Sequence, residues 1–136
     1  MNREQILQFI SANPACHLAT LEGGQPRVRG MLVYRAEPSG LIFHTGQSKA
    51  LVKQIRQNKQ VEACFNSPDM QVRVAGSVEF IDDLNLKKEI VEARPFLKPW
   101  IEKYGYELLV VFRMTQCQVS VWTMATNLEP TRYQSL

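Results

Sequence analysis

The chain has 136 residues, 45% of them hydrophobic, and a formal net charge of +3. This length and composition predict one soluble globular domain over residues 1–136, large enough for a hydrophobic core. The small positive charge fits anionic small-molecule ligands, and it is too weak to indicate nucleic-acid binding by itself. No apolar run approaches the length of a membrane span, so we expect no membrane insertion.

The cysteines indicate the compartment. Cys16, Cys64 and Cys117 lie far apart in apolar surroundings and form no C-x-x-C pair. Isolated thiols of this kind are typical of a reduced, cytoplasmic protein. The first residues lack the basic-then-apolar order of a signal peptide, which agrees with a cytoplasmic location. We expect no zinc site, because only His17 and His44 could complement the cysteines.

Apolar periodicity and turn residues predict the elements in chain order. Helices are expected over residues 2–12, 49–58, 84–93 and 96–103, with N-caps at Asn2, Ser48 and Asp82-Asp83. Strands are expected over residues 16–21, 26–35, 41–45, 61–66, 70–81, 107–114 and 118–123, with an irregular tail over 125–136. The first three strands are expected to pair as an antiparallel meander.

Short strands joined by hairpin turns predict a mainly β fold with helices at its periphery. The arrangement expected is an antiparallel barrel that is closed or nearly closed. A barrel of this size fills its own interior with side chains. A ligand should therefore bind on the outside of the barrel or at a seam between subunits.

The segment 41–55 combines an apolar strand, a polar turn and a helix that opens with Lys49. Helix N-termini carry free N–H groups and partial positive charge, so a cation there is locally unfavourable unless an anion holds it. Strand, turn and helix N-terminus together predict a phosphate-binding site in which Ser48 and Lys49 take part. The alternative, equally weighted, is a surface lysine at an ordinary strand–helix junction.

The second predicted strand carries a pair of arginines. Alternation places Arg27, Arg29 and Met31 on one face, and two adjacent guanidinium groups need an anion or solvent. Gly30 within this strand is typical of close approach by a ligand or another backbone. The alternative is a solvated outer face with a bulge at Gly30.

Three further side chains are candidates for ligand contact. Arg73 could reach an anion, although pairing with Glu62 or Glu79 is the favoured interpretation. His44 could donate a hydrogen bond to a ligand ring or phosphate, but a lone strand histidine more often satisfies a backbone carbonyl. Trp122 could stack on an aromatic ligand or pack in the core or a dimer interface.

Catalytic groups of the usual kinds are scarce. The sequence contains no Walker A motif, no GxGxxG, no HExxH and no carboxylate pair at catalytic spacing. The chain therefore offers side chains that can bind an anion or stack on a ring, but few that can act as acid or base. This balance is typical of a protein that binds a cofactor, because the cofactor then supplies the reactive groups. A distant alternative is a nucleic-acid-binding barrel that uses the basic residues Arg27, Arg29, Lys49 and Lys53.

The order of segments resembles the FMN-binding split barrels, the superfamily that includes pyridoxamine 5′-phosphate oxidase. The similarity runs from residue 4 to about residue 122. The matching segments are the N-terminal helix and residues 18–20, 24–30 (Gly-Gln-Pro-Arg-Val-Arg-Gly), 42–45 (Ile-Phe-His-Thr), 48–49 (Ser-Lys), 54–55 (Gln-Ile) with Asn58, and 72–78 (Val-Arg-Val-Ala-Gly-Ser-Val).

The resemblance implies a split β-barrel, antiparallel and Greek-key-like, that forms a homodimer with FMN at the subunit interface. It implies that Arg29 lies beside the flavin or its phosphate. Gly30 and Met31 would then offer backbone groups to the isoalloxazine ring. A small second substrate would enter the dimer cleft.

The resemblance also implies how the phosphate is held. Thr45, Ser48 and Lys49 would bind it at the helix N-terminus. Arg73 and Trp122 match the family's pattern less closely than these residues, and either could contact the cofactor from its own or from the partner subunit. Other members of the superfamily bind a deazaflavin or haem, and these residues do not distinguish FMN from either of them.

The resemblance leaves two functions open: an FMN-dependent oxidoreductase, which leads, and a non-catalytic protein that binds or carries flavin or haem. The C-terminal residues 131–136 contain no counterpart of the substrate-binding Arg-x-His segment of the true pyridoxamine 5′-phosphate oxidases. We therefore do not expect oxidation of pyridoxamine phosphate. Neither a nucleic acid nor a membrane is an expected partner.

Overall fold

A computed structural model describes all residues, 1–136, as a mainly antiparallel β sheet with a few helices. The helices are α1 (Arg3–Ala12), α2 (Ala50–Gln57), α3 (Leu84–Ala93) and α4 (Lys98–Tyr104). The strands are β1 (Ala15–Glu22), β2 (Gln25–Leu32), β3 (Arg35–Glu37), β4 (Gly40–Gly46), β5 (Gln60–Asn66), β6 (Met70–Ile81), β7 (Leu109–Thr123) and β8 (Gln134–Ser135). No helix is both long enough and apolar enough to cross a membrane.

A short chain segment joins the two edge strands of the sheet. The strand order is β2-β1-β5-β6-β7-β4-β3, with β8 added to β7, and every pair is antiparallel. The edge strands β2 and β3 are successive in sequence and separated only by Val33 and Tyr34. The Val33 N–H bonds to Pro14 O at 2.9 Å, and the Tyr34 N–H bonds to Ile42 O at 2.8 Å. This arrangement agrees with the antiparallel barrel expected from the sequence, and the mainly antiparallel β sheet with a few helices is confirmed.

Two apolar clusters lie on the two sides of the barrel wall. The larger one, with 19 buried residues, fills the interior and includes the stacked rings of Phe43 and Phe112, whose centroids are 5.4 Å apart. The smaller cluster packs α3 against the outer face of β4 and β7, and its centre is Ile42 and Ile90. The α3–α4 segment is therefore held over the outside of the barrel next to the end of β4.

Two helix caps expected from the sequence are confirmed. Asn2 accepts a hydrogen bond from the Gln5 N–H at the start of α1, and the Gln5 side chain accepts one from Asn2. Asp83 caps α3 by accepting from the N–H groups of Asn85 and Leu86. The N-cap expected for α2, Ser48, was wrong. The N-cap residue is Lys49, and no side chain forms a capping hydrogen bond at this helix.

The strand predictions were wrong in three places. The expected strand over 26–35 ends at Leu32, and β4 pairs with β3 and β7, so the first three predicted strands are not a meander. The two expected closing strands are one strand, β7, bent at Gln116, whose φ is 53°. A shift in the β6–β7 register between Ala75 and Ser77 absorbs this bend. The expected irregular tail contains β8, which pairs with β7.

Candidate functional site

A cavity of about 460 Å³ lies where the ends of β2 and β4 meet the N-terminus of α2 and the α3–α4 segment. Its wall combines polar groups on the β4–α2 side with apolar side chains on the α4 side. The residues that line it are Gly30, Met31, Leu32, His44, Thr45, Gly46, Ser48, Lys49, Arg94, Phe96, Leu97, Trp100, Ile101, Leu108 and Leu109. The set contains two permanent cations and no carboxylate.

Local backbone contacts fix the β4–α2 junction. The Lys49 N–H bonds to Gly46 O at 3.0 Å, and the Gln47 N–H bonds to Leu108 O at 2.8 Å. The Lys49 side chain lies over Gly46, because its Cγ would be 3.8 Å from a Cβ built there. Leu51 and Ile55 are buried and anchor α2 to the barrel. The turn therefore directs the first turn of α2 toward the cavity.

This junction gathers hydrogen-bond donors that have no partner within the chain. The hydroxyls of Thr45 and Ser48 and the ammonium of Lys49 form no hydrogen bond or ion pair. The backbone N–H groups of Ser48, Ala50 and Leu51 are also unbonded. Thr45 is only 6% exposed, but its hydroxyl is not among the buried polar atoms that lack a partner, so solvent or a ligand can reach it. Unpaired donors, positive charge and a helix N-terminus form an anion-binding arrangement.

His44 and Arg94 form the adjoining part of the wall. Arg94 Nη1 lies 2.6 Å from His44 Nε2, and the guanidinium also donates to Leu32 O at 3.2 Å and to Val33 O at 2.8 Å. Burial lowers the pKa of His44, the charges of Arg94 and Lys49 act in the same direction, and together they bring it to about 4. His44 is therefore neutral near pH 7.

The opposite wall is apolar and partly aromatic. Phe96 and Trp100 lie one helical turn apart and are 62% and 58% exposed, an unusual exposure for two large aromatic side chains. Leu97 and Ile101 continue the surface behind them. Across from them, Gly30 faces open space, since a Cβ built there would meet no atom within 4 Å. The cavity therefore combines an apolar wall with open space beside the Gly30 backbone.

Six of the nine residues singled out from the sequence border this cavity: Gly30, Met31, His44, Thr45, Ser48 and Lys49. The other three lie elsewhere in the chain. Arg29 donates to Leu18 O and Thr20 Oγ1 on the neighbouring strand and to Gln54 on α2.

Arg73 and Trp122 lie on β6 and β7, away from the cavity. Arg73 is 3.8 Å from Glu62 and 3.5 Å from the hydroxyl of Tyr133, which agrees with the ion pair favoured from the sequence. Trp122 Nε1 donates to Asn127 at 2.9 Å. Within one chain, these two residues do not meet the six that border the cavity.

Sequence reasoning missed Arg94, Phe96 and Trp100. The predicted helical turn over 96–103 contained the two aromatic residues, but nothing local indicates which surface they face. The available signal was a cation directly before Pro95, followed by aromatic side chains four residues apart. Their place at the cavity depends on α3 packing against β4, a contact between segments distant in sequence. No group of three or more His, Cys, Asp or Glu side chains is arranged to hold a metal ion.

The fold and the cavity together describe a small antiparallel barrel whose rim offers an anion site beside an apolar wall. Residues 3–122 match the model of the pyridoxamine 5′-phosphate oxidase family, and the chain belongs to that family. The resemblance noted from the sequence is thus confirmed over nearly the same residues. A comparison with curated proteins found no match.

Solved structures support the same assignment. A NimC/NimA family protein from Clostridium acetobutylicum is 26% identical, with a TM-score of 0.79, and the match covers 98% of this chain and 92% of that one. A FAD-binding protein from Mesorhizobium loti is 20% identical, with a TM-score of 0.67 and coverages of 89% and 94%. General Stress Protein 26 from Bacillus anthracis is 17% identical, with a TM-score of 0.73 and coverages of 98% and 97%. The last two likenesses concern the fold alone.

Proposed function

We propose that this protein binds FMN in the cavity and acts as an oxidoreductase that passes hydride or electrons between the flavin and a small molecule. One observation carries the proposal: Thr45, Ser48 and Lys49, whose side-chain donors have no partner in the chain, border one cavity at the N-terminus of α2, beside an apolar wall. Family membership and the solved FAD-binding relative support a flavin in general. The anion site favours a flavin that carries phosphate.

The residues present fit a flavin phosphate. A phosphate dianion would accept hydrogen bonds from the Thr45 and Ser48 hydroxyls and from the free N–H groups of α2, and Lys49 would neutralise part of its charge. These are charge-assisted bonds, which are about twice as strong as neutral ones. No carboxylate borders the cavity to repel the anion.

The isoalloxazine ring fits the remainder of the cavity. The open space beside Gly30 would let the ring approach the backbone of Gly30 and Met31. Phe96 and Trp100 would cover the ring with apolar surface and so limit the access of water. A cavity of about 460 Å³ is within the range of ligand sites in proteins. The flavin would supply the redox chemistry, and this chain would bind, orient and shield it.

A homodimer is part of the proposal. Strand β2 carries exposed apolar side chains: Leu32, which lines the cavity, is 42% exposed, and Val28, outside the lining, is 68% exposed. Burial of this surface by a second copy would enclose the flavin at the subunit interface. Arg73 and Trp122 lie away from the cavity of their own chain, so a role in binding requires that they act on the flavin of the partner subunit.

A second candidate function is a non-catalytic flavin carrier. The cavity contains no thiol and no carboxylate, and His44 is neutral, so acid–base groups are few. Haem is less well supported than flavin, because Arg94 occupies the Nε2 atom that His44 would need for iron. A deazaflavin that carries phosphate would meet the same donors as FMN.

Purified protein tests the proposal. The full chain is titrated separately with FMN, FAD, a deazaflavin and haem, and its own absorption spectrum and denaturation-released ligand are recorded. We expect a yellow protein that releases FMN, or a colourless one that becomes yellow with FMN. Rapid anaerobic bleaching by a reduced nicotinamide supports the oxidoreductase, whereas a flavin that stays oxidised supports the carrier. Protein that ignores FMN contradicts both.

A further inference from the structure

Arg94 is held at three points at the end of α3. Its guanidinium donates to the carbonyl oxygens of Leu32 and Val33 and approaches His44 Nε2 at 2.6 Å. The side chain also lies over the ring of Tyr34, with 5.3 Å between the guanidinium carbon and the ring centroid. Such a fixed guanidinium has little freedom to leave the histidine.

The contact with Arg94 decides where the proton of His44 resides. A guanidinium has only donors and stays charged at every pH at which the protein is folded. Nε2 of His44 must therefore accept the hydrogen bond, because two donors cannot bond to each other. A neutral imidazole that accepts at Nε2 carries its hydrogen on Nδ1.

The Nδ1 atom of His44 is not fully buried. It has no hydrogen-bond partner within the chain, and it is not among the buried polar atoms that lack a partner. His44 borders the cavity described above. The N–H of this ring is therefore available to a molecule in the cavity.

The groups around His44 oppose its protonation. Arg94 at the end of α3 and Lys49 at the start of α2 are the charged residues that act on the ring, and both are cationic. On β7 its partner in register is the apolar Val111. No carboxylate lies within 4.0 Å of the ring, and Glu89 on α3 is engaged by Tyr34 and Arg35 instead.

We propose that Arg94 is a positioning residue, which fixes His44 as the neutral Nδ1–H tautomer and so presents a hydrogen-bond donor to an acceptor atom of the bound ligand. The acceptor would be a carbonyl oxygen or an unprotonated ring nitrogen. That the ligand is a flavin rests on the proposed function above. The state of His44 does not, because it is set by this chain alone.

Nitrogen NMR of the ligand-free full chain, labelled at histidine, tests the proposal. His17 is the only other histidine, and His17→Gln identifies its signals. In the wild type we expect one neutral tautomer with hydrogen on Nδ1 and a His44 pKa of about 4. In Arg94→Gln we expect both tautomers and a His44 pKa that moves up toward its ordinary value.

Arg35→Gln is the matched control. Arg35 lies at the same 5.3 Å from the Tyr34 ring as Arg94, but it bonds to Glu89 and not to His44. We expect the His44 signals of Arg35→Gln to match those of the wild type.

Three results would overturn the proposal. They are equal effects of the two substitutions on His44, an Nε2–H tautomer in the wild type, and an ordinary His44 pKa in the wild type. The tautomer and the pKa of His44 in the wild type test the proposal even if Arg94→Gln fails to fold. FMN binding is tested separately, so the failure of one proposal leaves the other measurable.

Discussion

Arg29 donates a hydrogen bond of 2.5 Å to Oε1 of Gln54 and thereby ties strand β2 to helix α2. The same oxygen accepts from the Thr20 hydroxyl at 2.6 Å, and Gln54 is 4% exposed. The helix that carries Lys49 is thus fixed to the strand that carries Gly30. This network fixes α2 relative to β2, and residues next to both elements border the cavity.

Gln54→Ala should therefore destabilise the fold. The substitution leaves the Thr20 hydroxyl and part of the Arg29 guanidinium without their acceptor in the interior. We expect a loss of about 1–3 kcal/mol in the free energy of unfolding, measured by urea titration. Lys53→Ala, on the exposed face of the same helix, should change it by less than about 0.5 kcal/mol. Equal stabilities of the two variants would contradict the structural role of Gln54.

Gly40 is required by the backbone at the start of β4. Its φ is +136°, and a Cβ there would lie 2.0 Å from Met114 O. Gly40→Ala should cost at least about 3 kcal/mol, because strain and a backbone clash combine. Gly24→Ala is the control, since its Cβ would meet no atom within 4 Å. Thermal unfolding of both variants checks this, and a soluble Gly40→Ala protein with an unchanged midpoint would refute the local geometry.

The stability of the protein should depend on pH through His44. Its pKa in the folded chain is about 4, below the ordinary value of 6.5. Between these values the unfolded state binds a proton that the folded state does not, so the free energy of unfolding falls as the pH falls. Above about pH 6.5 His44 is neutral in both states and does not reduce the free energy of unfolding. By about pH 4 the free energy of unfolding has fallen by up to about 3 kcal/mol through this residue.

His44→Gln isolates this effect, because glutamine still offers an acceptor to Arg94 but does not titrate. Urea unfolding of both proteins is measured at about pH 7, 6 and 5. The stability of the wild type relative to the variant should shrink as the pH falls, since the carboxylates common to both cancel. A difference that stays constant over this range would contradict the neutral, buried state of His44.

Trp100 should contribute to flavin binding and little to stability. It is 58% exposed, so its truncation removes few core contacts, whereas a stacked aromatic contact is worth about 0.5–1.5 kcal/mol. Trp100→Ala should weaken FMN and riboflavin alike, by roughly three- to tenfold, in a fluorescence titration. Tyr104→Ala, on the same helix but outside the cavity wall, should leave both affinities unchanged. A loss of flavin affinity in Tyr104→Ala but not in Trp100→Ala would place the isoalloxazine ring elsewhere.

The sequence predicted one half of the cavity well. Residues 44–49 are consecutive, so the strand, turn and helix that carry them also bring them together. The α4 wall was missed, because Phe96 and Trp100 reach the cavity only through the packing of α3 on β4. The contact of Arg29 with Gln54 was not predicted for a similar reason: alternation gives the face of a strand, but Gln54 comes from a helix 25 residues away.

The strand errors have the same origin. Hairpin turns predict that consecutive strands pair, and β1 and β2 do. The chain then bends at Val33, which is buried, and starts β3 on the far edge of the sheet. Closure of a barrel is a property of the whole sheet, and no local pattern in residues 26–35 indicates it.

The phosphate site is tested most directly by the affinities of the wild type and of Lys49→Ala for FMN and for riboflavin, which lacks the phosphate. The central claim is that the N-terminus of α2 binds the phosphate. We therefore expect the wild type to prefer FMN, and Lys49→Ala to weaken FMN roughly tenfold or more while riboflavin affinity stays unchanged. Lys53→Ala, one turn along the same helix and outside the cavity, should behave as wild type. Equal affinities of the wild type for the two flavins, or equal losses of both in Lys49→Ala, would contradict the claim.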